Sequence, residues 1–131
     1  MHMHHHDTVR KLRADQDTHY NCCQAVLVTF AKEMGLSPKQ AYDLGAHFGS
    51  GMRHGSTCGA ISGALMVLGA LGHDGKMAVE LLKDFRMSHG ATDCATLLKA
   101  SHDRGEPKKQ HCDDLVFEAV DFLAPLVMVP D

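Results

Sequence analysis

The stretch Asn21–Gln40, NCCQAVLVTFAKEMGLSPKQ, carries the punctuation that decides the fold. Asn21 followed three residues later by Gln24 is a capping-box variant. The cap side chain accepts from an unpaired amide, and the glutamine reaches back to the cap's own N–H. Behind it Ala25, Val26, Leu27, Phe30 and Met34 lie on one broad face at helical spacing, and Gly35 supplies a stop. Ser37-Pro38-Lys39-Gln40 repeats the logic at once, with Ser as cap, Pro in the first turn and Gln at the third helical position. That second helix is expected to reach Phe48.

The same grammar recurs outward from this stretch. Gly49, Gly51 and Gly55 make a glycine-rich segment ahead of a strongly apolar helix, expected from Cys58 to Leu71 and capped by Thr57 or Ser56. Asp74 caps a helix expected over 75–88, with Gly90 as its stop. Thr92 is expected to cap a short helix through Leu97 and Leu98. A polar loop over 101–110 then precedes a last helix carrying Leu115, Val116, Ala119, Val120 and Leu123. Upstream, Val9 and Leu12 point to an amphipathic helix from Thr8 to Asp15. No segment of comparable length alternates with a period of two, and no linker divides the chain. The expectation is a single all-α domain over residues 7–131, a compact bundle of five to seven short helices.

At 131 residues the chain can bury one core without disulfide help. A net charge of −3, no Trp, two Tyr and five Phe offer neither a basic footprint nor stacking platforms, which argues against nucleic-acid binding. Met1-His2-Met3-His4-His5-His6 has no apolar core of a secretory signal and reads as a tag-like or disordered His-rich tail, residues 1–6, outside the fold, with a native metal-chelating tail as the alternative. The most apolar run, Ala60 to Gly72, is 13 residues long, short of the roughly 20 that span a bilayer. No membrane insertion is expected, and the cytoplasm is the expected compartment.

Five cysteines are many for such a compartment, where they more often bind metal or do redox chemistry than staple the fold. Four share one placement. Cys22 follows Asn21, Cys58 follows Thr57, Cys94 comes two residues after Thr92, and Cys112 lies in the first turns of the last helix. Each has small or apolar residues three or four positions on, which turns it inward near a helix N-terminus. The unpaired amides and partial positive charge there favour thiolate, the form that attacks disulfides and binds soft metals. Cys23 lacks this placement and reads by default as a packed thiol, with a strained vicinal disulfide to Cys22 or a spare-ligand role as the alternatives. Gaps of 36, 36 and 18 residues, with no C-x-x-C, exclude zinc ribbons, thioredoxin-type motifs and the common ferredoxin runs. A site would have to be assembled from distant helices.

These residues resemble a known family. Asn21-Cys22, GSTCGAISGALMVLG around Cys58, Thr92-Asp93-Cys94, and Cys112 ahead of an amphipathic helix are similar to a bacterial and archaeal family of redox-active proteins. The family is named for a Cys…Gly-Cys-Ala-x-x-Gly…Cys…Cys pattern. The resemblance runs from Tyr20 to Leu123 and is most specific at Cys58-Gly59-Ala60-x-x-Gly63. It implies that Cys22, Cys58, Cys94 and Cys112 are the functional set and that redox activity, with cluster binding among the expectations, is the function. Neighbourhood with transport or anaerobic metabolism is also implied. Cys23 has no required counterpart, and His54 departs from the family's small or other polar residues at its position.

Gly59 and Gly63, four residues apart, allow close backbone approach, either for helix crossing or for access beside Cys58. Among seven histidines outside the tail, His54 and His111 are the two that could assist a thiolate as ligand or proton donor, against a solvated or packed role. The methionines read as gap fillers, and no Ser–His–Asp arrangement can be argued. The leading expectation is an electron-transfer protein whose four thiolates hold an iron–sulfur cluster. The alternatives are metal-free thiol–disulfide exchange, a non-catalytic metal-binding accessory module carrying zinc or another metal, and a helical interaction domain with buried cysteines. The redox partner is not specified by the sequence, and the bundle's size allows a homodimer.

Overall fold

In a computed structural model, which describes residues 4–127, the chain is all-α. The elements are α1 His4–Ala14, α2 Cys22–Thr29, α3 Ala31–Met34, α4 Pro38–Leu44, α5 Gly59–Ala70, α6 Gly75–His89, α7 Cys94–Asp103 and α8 Lys108–Val127. A tight turn, Gly51–Gly55, lies between α4 and α5. No described helix is long and apolar enough to cross a membrane.

Among the described residues eight α-helices stand where five to seven are expected, because one expected helix breaks at Phe30. The Thr29 hydroxyl donates to the Ala25 carbonyl at 2.7 Å, a back-bond that bends helices, and Phe30 leaves helical geometry. Both capping boxes form as expected, at Asn21–Gln24 and Ser37–Gln40. The second helix stops at Leu44, four residues short of Phe48. There Gln24 Nε2 donates to the Tyr42 carbonyl and Asn21 Nδ2 to the Gly45 carbonyl, at 3.0 and 3.1 Å. These side chains take up the carbonyls that another helical turn would have used. Gly45 packs flat on Gln24, whose Cα would stand 3.1 Å from an added Cβ.

The expectation that residues 1–6 stand outside the fold fails for His4–His6, which begin α1. His5 is 2 % exposed, its ring stacks on Phe30 at 4.7 Å, and its Nε2 pairs with Glu33 Oε2 at 2.9 Å. His6 pairs with Asp121 on α8. Histidine composition suggested a tail; burial and specific partners make these residues part of the domain. Residues 1–3 of that expectation lie outside the described residues.

The core is a seam of α2 on α5, backed by α8 and covered by α1 and α6. Val26, Leu27, Phe30, Ile61, Val67, Leu68, Val116, Val120 and Leu123 are fully buried in it. Each such side chain contributes about 1.5–3 kcal/mol on leaving water. Gly59 and Gly63 set the closeness of the seam: an added Cβ at Gly59 would lie 3.1 Å from Cys23 N and 2.9 Å from Phe48 O. At Gly63 it would lie 3.1 Å from Val26 Cβ.

Candidate functional site: a four-cysteine cavity

Four helix starts deliver the cysteines. Cys22 opens α2 directly behind its capping box. Cys58 is itself the residue that caps α5, rather than following a Thr57 cap, and it makes no capping hydrogen bond of ordinary length. Cys94 opens α7, capped by Asp93 and not by the expected Thr92; the Asp93 carboxylate accepts from Thr96 N at 2.9 Å. Aspartate competes well for this position because its charge also meets the helix dipole. Cys112 is the fifth residue of α8, one turn in from Lys108.

Cys58 and Cys94 are tied together by backbone. Thr57 and Asp93 form an isolated antiparallel bridge, flanked by Cys58 N–H donating to the Thr92 carbonyl at 2.9 Å and Cys94 N–H donating to the Ser56 carbonyl at 2.6 Å. Strand alternation puts residues 58 and 94 on the same face of this bridge. The turn before it is wound left-handed: Ser50, Gly51, Met52 and Arg53 have φ of 53°, 61°, 56° and 68°. This conformation is unfavourable for residues other than glycine and is retained only where packing dictates it. Gly51 is wedged between the Ser56 backbone and Cys94 Cβ, with no room for a side chain.

Cys22, Cys58, Cys94 and Cys112 line one cavity of about 490 Å³. Leu12 and Leu115 contribute apolar wall, and Arg13, Lys108 and Lys109 contribute positive charge. All five cysteines are free thiols. The Cys22 and Cys112 thiols are hydrogen-bonded to each other, and this bond separates their acidities. Cys112 is held down to about 7, by Cys22 first and then by the Arg13 and Lys108 charges against the cost of burial. Cys22 is pushed well above the ordinary thiol range by the same bond and by burial.

Burial pushes Cys58 up to about 11, against the pull of the Ala60 and Ile61 amides, and the neighbouring thiols add to the rise. Cys94 is raised by burial and by Cys112. The expectation of thiolate-favouring acidity at all four helix starts therefore survives at Cys112 alone. Desolvation and sulfur–sulfur proximity outweigh the helix termini at the other three.

The remaining candidates separate cleanly. Cys23 is fully buried in the α2–α5 seam, away from the cavity, and burial pushes its thiol up to about 12. His54 is exposed on the left-handed turn and does not line the cavity. His111 does line it; its ring is buried, and burial lowers its pKa. Gly59 serves both expected purposes, crossing α2 closely while forming part of the cavity wall beside Cys22. Gly63 packs on Val26 and Cys23 and belongs to the crossing. Sequence reading missed Arg13 and Lys108. Lys108 had a local signal, being four residues ahead of Cys112 on one helix face. Arg13 had none, since α1 meets α8 only in the folded chain.

The donor set suits soft metals and iron–sulfur clusters, which thiolates bind in preference to harder ligands. Among the described residues, no group of three or more His, Cys, Asp or Glu side chains is placed so that it could hold a metal ion. No curated protein and no solved structure matches the chain. The family described as "Putative redox-active protein (C_GCAxxG_C_C)" matches residues 20–126, a span holding all four cavity cysteines. The chain belongs to this redox-active protein family.

Proposed function

We propose that Cys22, Cys58, Cys94 and Cys112 act as one redox site that holds an iron–sulfur cluster for electron transfer. The observation that carries this reading is the shared cavity: four thiols from four separate helices line it, while the fifth cysteine stays in the core. Three of the four thiols are raised partly by one another, the behaviour of a set that needs a positive centre before all can ionise. An iron–sulfur cluster bound there would supply one-electron transfer. The chain's own contribution is to exclude water with Leu12 and Leu115 and to place Arg13 and Lys108 beside the sulfurs. Loading requires the thiol side chains to turn toward a common centre.

A second reading is metal-free thiol–disulfide exchange, favoured by the Cys22–Cys112 hydrogen bond and by the lowered pKa of Cys112. There Cys112 would be the attacking thiolate and Cys22 its resolving partner. Anaerobic purification with absorbance, iron and sulfide analysis separates the two. Absorption near ~400 nm with stoichiometric iron and sulfide supports the cluster. A colourless, iron-free protein with a reversible loss of two thiols supports exchange, and zinc alone overturns both in favour of a metal-binding accessory role.

A further inference from the structure

The wall of the four-cysteine cavity contains an ion pair whose two ends are not equivalent. Arg13 Nε donates to Asp113 Oδ1 at 2.6 Å, and Nη1 donates to the Tyr20 carbonyl at 2.8 Å. The Arg13 side chain is 10 % exposed. Arg13 lines the cavity and Asp113 does not. The carboxylate is held on its other oxygen by Lys109 Nζ at 2.8 Å. The guanidinium thus faces the sulfurs with the carboxylate behind it, a dipole with its positive end toward the site. Both Cys22 and Cys112 feel the arginine charge, and at Cys112 the opposing effect of Asp113 is the smaller.

We propose that Arg13 is a fixed positive charge that sets the reduction potential of the four-cysteine site, favouring its reduced and more negative state. This rests on the reading of the cavity as a redox site, whichever of the two chemistries occupies it. One electron added to a cluster leaves one more negative charge beside the guanidinium. Two electrons and one proton break a Cys22–Cys112 disulfide into one thiol and one thiolate, with the same net change. In a partly water-excluded cavity a nearby cation stabilises that added charge more than it would in solvent. Arg13 is a positioning residue as well, since it joins α8, which carries Cys112, to the Tyr20 backbone just ahead of Cys22. The test must therefore separate charge from scaffolding.

The full chain is reconstituted anaerobically with ferrous iron and sulfide, and the midpoint potential is read for wild type, Arg13→Gln, Arg13→Lys and Asp113→Asn. Arg13→Gln is expected to lower the reduction equilibrium constant about tenfold, ~59 mV for one electron. Arg13→Lys should keep most of the wild-type potential. Asp113→Asn removes the opposing charge and should move the potential upward. Opposite shifts for the two neutralising variants are the signature of charge; a scaffold role alone moves both the same way or neither, and that result overturns the proposal. If Arg13→Gln does not fold, the upward shift in Asp113→Asn decides the sign.

If no cluster assembles, the cluster reading fails separately. The same variants are then equilibrated in glutathione redox buffers and scored for the Cys22–Cys112 disulfide by mass. The same order of potentials is required, and its absence, or the absence of any disulfide, overturns the inference.

Discussion

Cys22 and Cys23 are neighbours in sequence, and the structure gives them opposite surroundings. Cys22 opens α2 on the cavity side, hydrogen-bonded to Cys112 and within the influence of Arg13 and Cys58. Cys23 turns into the α2–α5 seam, where Gly59 and Gly63 bring the two backbones close and no exposed surface is left. Burial raises both thiols and Cys58 adds to the rise at each, but only Cys22 lines the cavity and is paired with Cys112. A cysteine's role here follows from which side of one helix it faces, more than from its place at the helix start.

The comparison breaks most visibly on the seam side. Gly59→Val places branched atoms against the Phe48 and Cys23 backbones, where even a single Cβ is too close. Overpacking of this kind is expected to cost about 3 kcal/mol, measured by denaturant unfolding. A cost below about 0.5 kcal/mol would mean the seam is looser than described.

Substituting the neighbouring cysteines sharpens the contrast. Cys23→Ser buries a hydroxyl in an apolar seam and is expected to destabilise by about 2 kcal/mol while leaving the cavity thiols intact. Cys22→Ser should cost less than about 1 kcal/mol and remove the redox response. The pair of unfolding curves and thiol counts checks both halves; equal destabilisation would erase the distinction.

The smallest effect on stability is the most specific to the cavity. In the metal-free, reduced protein, Cys112 should alkylate with a midpoint near pH 7, ahead of Cys22, Cys23 and Cys58, whose pKa values are raised. Removing the hydrogen bond in Cys22→Ala should move that midpoint upward, toward the ordinary thiol value of about 8.5. Linkage gives the sign. The Cys112 shift stabilises the fold fully above the ordinary thiol pKa, and that contribution is lost as pH falls through about 7. Cys58 runs the other way: the contribution from its raised pKa is present below the ordinary value and lost as pH rises through about 11.

Helix type and most caps were readable because they depend on residues within one turn: Asn21 with Gln24, Ser37 with Gln40, Asp74 and Gly90 all act where the sequence puts them. The kink at Phe30 and the early end of α4 were hidden because side chains from elsewhere, or a back-bonding Thr29, decide them. The gathering of the four cysteines was legible as an expectation from their repeated placement, and the cavity shows it. Their acidities were not, because a helix N-terminus is a local feature while burial and a second sulfur are not. Arg13, brought beside Cys112 only by the packing of α1 on α8, was out of reach for the same reason. His5 was misjudged because composition alone says nothing of a ring stacked on Phe30.

The central claim is that four cysteines, and not five, make one site. Its most direct measurement is iron and sulfide content after anaerobic reconstitution of wild type and of five single Cys→Ala variants, each first shown to be folded. The account predicts that Cys22→Ala, Cys58→Ala, Cys94→Ala and Cys112→Ala each lose most of the bound iron and the absorption near ~400 nm, while Cys23→Ala retains both. Full retention in any of the four, or equal loss in Cys23→Ala, would contradict it.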